Sequence, residues 1–185
     1  MKYGAVIIDN RPITLDWVYE SHIKHLPDHW GFQIIKNHDV RTLNDYNNLM
    51  TSRALWEAVQ FDKVLVFQQD SRLLAPWRSE FEQYDFIGAP IKNCAFPAMN
   101  GGLSFRSREM MLKIIDSIPY NVSAYGFEDI YFCNQMERFG GKLPTIEVAR
   151  RFSCETMFEL GTIGVHAPEK YLSSEQVNKL YTQYE

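Results

Sequence analysis

Short apolar runs alternate with polar stretches of helical spacing through the first part of the chain. Ala5-Val-Ile-Ile8 ends at Asp9-Asn10-Arg11-Pro12, the pattern of a buried parallel strand that stops at a loop. Pro12 then opens a predicted helix whose apolar stripe, Ile13, Trp17, Val18, Ile23 and Leu26, is broken at Pro27-Asp28. Phe32-Gln-Ile-Ile35 predicts a second strand, followed by a polar loop from Asn37 to Arg41. Thr42 caps the next predicted helix, in which Tyr46, Leu49, Met50, Arg53 and Trp56 recur at helical spacing as far as about Val59. Lys63-Val-Leu-Val-Phe67 is the most strand-like stretch and runs into Gln68-Gln69-Asp70-Ser71. Strand, helix, strand, helix, strand is a doubly wound α/β pattern, in which ligands gather beyond the carboxyl ends of the strands. Asp9 to Arg11 and Gln68 to Ser71 are both expected there.

The second half is less regular. Asp85-Phe-Ile-Gly88 predicts a short strand, and Asn100-Gly-Gly-Leu-Ser-Phe105 a glycine turn leading into another. Ser107 caps a helix with Met111, Ile114, Ile115 and Ile118 on one face, closed by Pro119. A further helix begins near Glu128-Asp129, turns Ile130, Cys133 and Met136 inward, and stops at Gly140-Gly141. Thr145-Ile-Glu-Val148 reads as a strand, Gly164-Val-His166-Ala-Pro168 as a loop, and the residues from Glu169 onward as a polar terminal helix. There is no internal repeat, low-complexity tract or linker.

At 185 residues the chain is expected to form one domain, 1–185, able to bury a substantial core. Its 45% hydrophobic and 23% charged content is ordinary for a globular protein; only the 14% aromatic content leans towards a pocket for bases or sugars. A formal charge of -4 with no basic run argues against wrapping nucleic acid. No apolar run approaches the roughly 18 residues of a membrane span. Cys94, Cys133 and Cys154 are odd in number and lack C-x-x-C spacing, and no secretory signal is evident, so the expected compartment is a reducing cytoplasm.

Asp70 closes an apolar strand. A strand-end Asp commonly accepts backbone N–H groups in a turn, but carboxylates also hold Mg²⁺ or Mn²⁺ against substrate phosphates. Gly101-Gly102 permits either a hairpin turn or close approach of a ligand to the backbone. Glu128-Asp129 stands where a glycine loop enters a helix, so the two acids serve either as helix-terminal partners for free N–H groups or as a general base. His166 is a lone loop histidine, either solvated or a metal ligand. His22 and His25 sit three apart on a predicted helix but have no acid to complete a site.

In order along the chain, Gln68-Gln-Asp70-Ser71, Asn100-Gly-Gly-Leu-Ser-Phe-Arg-Ser107, Gly126-Phe-Glu-Asp129 and His166 resemble four landmarks of GT-A glycosyltransferases. These are the D-x-D motif, the glycine-rich acceptor loop, the x-E-D motif and the C-terminal metal-binding histidine. "VFQQDSRLL", "YDFIGAP", "NGGLSFRSR" and "EDIYFC" look like a little-characterised bacterial and viral family of glycosyltransferase-like domains with a Q-x-D-S variant of D-x-D. The resemblance covers about Thr42 to His166. It implies a Rossmann-like nucleotide-diphospho-sugar transferase fold, with a central, mostly parallel mixed sheet flanked by helices.

The resemblance implies that Asp70 faces a divalent cation, Mn²⁺ or Mg²⁺, and the donor pyrophosphate, with His166 as second ligand. Asp129 matches the base that deprotonates the acceptor hydroxyl, and Glu128 would orient that acceptor. Gly101 and Gly102 would let donor sugar and acceptor approach. Asp9, Arg11 and Arg53 fall on the nucleotide side. Gln68 replaces the first acid of D-x-D and brings no charge.

The expected reaction is sugar transfer with inversion from a nucleotide sugar, most commonly a UDP-sugar, to a glycan or other hydroxyl acceptor, as in polysaccharide biosynthesis. A non-catalytic nucleotide- or glycan-binding module, motivated by Gln68, is the alternative from another class. A nucleotidyltransferase shares the layout, but no glycine- and lysine-rich loop follows the first strand.

Overall fold

The computed structural model describes residues 1–9, 11–36, 39–94 and 98–185. Asn10 and the first two positions of the predicted 37–41 loop lie outside these. In chain order the elements are β1 (Tyr3–Ile8), α1 (Leu15–Ser21), β2 (Gly31–Ile35), α2 (Leu43–Met50), α3 (Arg53–Ala58), β3 (Lys63–Phe67) and β4 (Ser71–Leu73). Then follow β5 (Phe86–Pro90), β6 (Met99–Ser107), α4 (Arg108–Ser117), α5 (Val122–Tyr125), α6 (Glu128–Met136), α7 (Ile146–Phe152), β7 (Ser153–Cys154), β8 (Gly164–His166) and α8 (Ser174–Thr182).

The central mixed sheet has the order β2-β1-β3-β6-β5. β1 is parallel to β2 and β3, while β6 runs antiparallel to both β3 and β5. Four strands therefore share one direction and β6 opposes them. β3 is buried at every position and β1 from Gly4 to Ile8, as continuous apolar runs covered on both faces require. Each fully buried aliphatic or aromatic side chain there contributes about 1.5–3 kcal/mol. A smaller sheet, β4-β8-β7, lies beside the first.

Much of the aromatic excess goes into this core rather than into a pocket. Trp77 packs at 5.0 Å from Phe105 and 4.8 Å from Trp30, and Tyr3 stacks on Trp30 at 5.4 Å.

Four local expectations are corrected. The 42–59 helix is two helices, because Thr51 and Ser52 return their hydroxyls to the Asn47 and Leu49 carbonyls and Ser52 caps α3 through the Leu55 N–H. Thr145–Val148 is the start of helix α7, with Thr145 capping the Val148 N–H and the buried Ala149 and Phe152 spaced three apart. Gly101-Gly102 lies inside the continuous strand β6 rather than in a turn, and His166 ends strand β8 rather than standing in a loop. Among the described residues, no helix is long and apolar enough to cross a membrane.

Candidate active site

The sheet directions bring the candidate residues together. β1 and β3 are parallel, so Asp9 and Gln68 leave the sheet at the same edge. β6 is antiparallel, so its beginning lies at that edge too, and the Gln68 N–H donates to the Gly102 carbonyl at 2.9 Å. β4 leaves the turn and pairs with β8, setting Ser71 opposite His166. Ala167, in the left-handed region at φ 43°, donates its N–H to the Asp70 carbonyl at 2.7 Å. The first turn of α6 reaches the same place, where an Asp129 oxygen accepts the Gly101 N–H at 3.0 Å.

The 68–71 turn is held from behind. The Ser71 hydroxyl donates to the Gln68 carbonyl at 2.7 Å and accepts the Gln68 N–H at 3.2 Å. His22 Nε2 lies 3.2 Å from that hydroxyl, in a fully buried ring stacked 3.9 Å from Phe67. Burial pushes the His22 pKa down to about 3, so the ring is neutral at physiological pH.

At one end of the cleft His166 is clamped between acids and amide. Its Nδ1 is 2.9 Å from Glu155 Oε1, and its Nε2 is 3.1 Å from Gln68 Oε1 and 3.2 Å from Asp70 Oδ1. Burial alone disfavours charge on the ring, but hydrogen bonds to Asp70 and Glu155 outweigh it and raise the pKa to about 9. The other Asp70 oxygen accepts from Lys170 Nζ at 2.7 Å. The hydrogen bond from His166, joined by that from Lys170, overcomes burial and holds Asp70 well below the usual carboxylate range.

At the other end Arg106 is fully buried and grips Glu128 with two nitrogens, at 2.7 and 2.8 Å. Its Nε donates to Ser104 Oγ at 2.8 Å, and its guanidinium stands 4.6 Å from the centre of the Phe86 ring. Asp129, only 8% exposed, accepts from Gly101 and from the Ile130 N–H at 2.7 Å. Burial first, and the neighbouring Glu128 charge second, push its pKa up to about 7. A carboxyl poised there exchanges a proton at neutral pH.

The two glycines are explained by the protein's own side chains. A Cβ on Gly101 would stand 2.2 Å from Glu128 Oε1 and 2.6 Å from Arg106 Nη2, and one on Gly102 2.2 Å from His166 Nε2. Both glycines also line the cleft, so this close packing stands beside the expected room for donor and acceptor.

Gln68, Gly101, Gly102, Glu128, Asp129 and His166 line one cavity of about 620 Å³, with Glu155 and Lys170. Asp70 reaches it through His166 and Lys170. A second cavity of about 350 Å³, lined by Asp9, Arg11 and Arg41, meets the first at Leu43, Tyr46 and Gln68. Arg11 Nε pairs with Asp9 Oδ1 at 3.0 Å. Arg53 is not brought to the cleft: it pairs with Glu57 and Asp116 on the outer surface of α3 and lines neither cavity. Its helical spacing carried no information about which way it faces.

Arg106, Glu155, Lys170 and His22 were not among the expected site residues. Arg106 had a readable signal, a cation at period two with Ser104 inside an apolar strand. Lys170 stands four residues after His166 but carries no pattern of its own.

The cation expected from D-x-D is tested by the donors present. Asp70, His166 and Gln68 offer one carboxylate, one imidazole and one neutral oxygen around the same Nε2 atom. The 3.1 and 3.2 Å contacts are hydrogen bonds of the His166 ring, and a cation would take their place only as Nε2 gives up its proton. Glu155 behind Nδ1 supplies the second partner that metal-bound histidines take. One carboxylate, one imidazole and one amide oxygen are donor types that suit a divalent cation only with further ligands. Among the described residues, no group of three or more His, Cys, Asp or Glu could hold a metal by itself.

A family model described as "Protein of unknown function (DUF5672)" matches residues 29–170. No curated protein matches the chain. Among solved structures, the apo form of the glycosyltransferase GlyE of Streptococcus pneumoniae TIGR4 aligns with a TM-score of 0.55 at 12% identity, over 94% of this chain and 55% of that one. A second GlyE structure gives 0.47 at 12% identity, over 95% and 55%. A197 from STIV gives 0.44 at 14% identity, over 72% and 77%. The chain spans about half the length of GlyE, and the likeness shows a shared, glycosyltransferase-like fold.

Proposed function

We propose, from the premise that the chain belongs to the DUF5672 family, that it is a glycosyltransferase moving a sugar from a nucleoside-diphosphate donor to an acceptor hydroxyl. The observation that carries this reading is the opening of Asp129, Gln68 and His166 onto one cavity, with Asp70 directly behind. One domain, residues 1–185, carries both substrates in this reading.

The acceptor oxygen attacks the anomeric carbon while the bond from that carbon to the diphosphate oxygen breaks. The diphosphate leaves with the electron pair, the acceptor proton passes to Asp129, and the configuration inverts. Asp129 is suited to this because its carboxylate is fixed by two N–H groups and its pKa is about 7. Glu128, held by Arg106 at 2.7 Å, shapes the acceptor side. Asp70, His166 and Gln68 would hold Mn²⁺ or Mg²⁺, which when bound offsets the charge on the leaving diphosphate. Lys170 brings a further positive charge to the cavity wall. Asp9 and Arg11, in the adjoining cavity, hold the nucleoside, for which a UDP-sugar is the first candidate.

The test is release of nucleoside diphosphate from a panel of UDP-, GDP- and dTDP-sugars with Mn²⁺, comparing wild type with Asp129→Asn. Wild type should turn over at least one donor, and the variant should be slower by about 10²-fold or more with donor affinity retained. Binding without turnover in wild type would leave the binding-module reading standing instead. Equal rates in the two proteins would remove Asp129 from the role of base.

A further inference from the structure

A third cavity, of about 350 Å³, adjoins the main one where Thr156 and Tyr171 line both. Its polar character differs from the rest of the molecule. The chain carries a formal charge of -4, yet Lys92 and Arg150 line this cavity and no acid does. Lys92 is anchored beside it by its N–H, which donates to Thr156 Oγ1 at 3.2 Å, and among the described residues its ammonium makes no ion pair. Arg150 Nη1 is 3.5 Å from Glu159 Oε2, longer than the roughly 2.7–2.9 Å of a charge-assisted hydrogen bond. Arg150 Nε is buried and has no hydrogen-bond partner among the described residues. The guanidinium is thus only loosely engaged by the protein, and its remaining donors are available at the cavity wall.

Between these cations and Asp129 lies Tyr171, 56% exposed, whose ring offers a flat apolar face with a polar edge. A ligand spanning both cavities therefore meets a base, an aromatic surface and then a pair of cations.

Resting on the transferase reading, we propose that the acceptor is an acidic saccharide. Its reacting hydroxyl lies at Asp129, a ring packs on Tyr171, and an anionic group, carboxylate or phosphate, is held by Lys92 and Arg150. Arg150 has the forked donors that either anion accepts from.

The experiment measures binding of cellobiose, its 6-carboxylate and its 6-phosphate to the full chain by titration calorimetry, at low salt and at 0.5 M NaCl. At least one anionic form should bind about fivefold or more tightly than cellobiose at low salt, and the excess should shrink at high salt. The exposed change Lys92→Glu, and separately Arg150→Gln, should remove that excess. No excess of the anionic forms, whether all bind alike or none binds, overturns the inference; so does an excess that both variants keep. Donor hydrolysis by wild type is read independently. Its absence sinks the transferase reading, whereas hydrolysis without any anionic preference sinks only the acidic acceptor.

Discussion

Two ends of one cleft contain an aspartate each, and the two aspartates are driven in opposite directions. At the inner end Glu128 and Asp129 share a single cation, Arg106, whose two nitrogens are both committed to Glu128. Asp129 is left buried beside a negative neighbour, and a proton is the cheapest way to relieve it. At the outer end Asp70 and Glu155 face two cations, His166 and Lys170, and Asp70 remains more exposed. There the carboxylate holds its charge and the histidine acquires one. Burial drives the inner aspartate towards the proton, and the cations within hydrogen-bond reach of the outer one overcome its burial and keep its charge.

The largest effect should come from removing the inner cation. Arg106→Met leaves Glu128 buried and unpaired, which should cost about 3–5 kcal/mol in urea unfolding at pH 7. Adding Glu128→Leu should recover much of that loss. If Arg106→Met alone is as stable as wild type, the pair is not what holds the start of α6.

The inner end should also announce itself through pH. The folded pKa of Asp129 is raised from 3.8 to about 7, so its contribution to stability is fully present below about 3.8 and is lost as pH rises through 7. Asp129→Asn does not titrate. The melting temperature of the variant relative to wild type should therefore climb between pH 5 and 8, by the equivalent of about 1–3 kcal/mol. Wild-type turnover should rise over the same interval and level off above pH 7. A flat difference in melting temperature would mean that Asp129 titrates in its ordinary range.

At the outer end Gly102→Ala tests whether the glycine exists for His166. The new methyl would meet Nε2 at 2.2 Å, and the ring is pinned on its far side by Glu155. Donor affinity should fall about tenfold, with a stability loss of about 1–3 kcal/mol. An unchanged donor affinity would show that the ring has somewhere else to go.

The central sheet was legible because its signals are local. Ala5–Ile8 and Val64–Phe67 are short unbroken apolar runs ending at polar loops, the pattern of a strand covered on both faces. Thr145–Val148 misled because an apolar residue every second position also fits a capped helix, and only the contacts of Ala149 and Phe152 decide between the two. The convergence of Asp70, Asp129 and His166 followed from the order of motifs, but their chemistry did not. Whether Asp129 ionises depends first on its burial and then on the Glu128 charge beside it, and no spacing along the chain encodes that burial. The glycines were readable as sites of close approach, yet what approaches them comes from residues far away in sequence.

The smallest effect belongs to Arg53, and it bounds the site from outside. Its side chain is 54% exposed and engaged with Glu57 at 2.8 Å and with Asp116, in pairs that water and salt screen. Arg53→Ala should leave both the melting temperature and the nucleotide-sugar affinity within error of wild type. The comparison is informative because Arg11 carries the same group at the mouth of the cavity beside Gln68, where Arg11→Ala should weaken donor binding measurably. Should the Arg53 change weaken donor binding as much as the Arg11 change, the nucleotide would have to lie along α3, and the cavity at the end of β1 would lose its assignment.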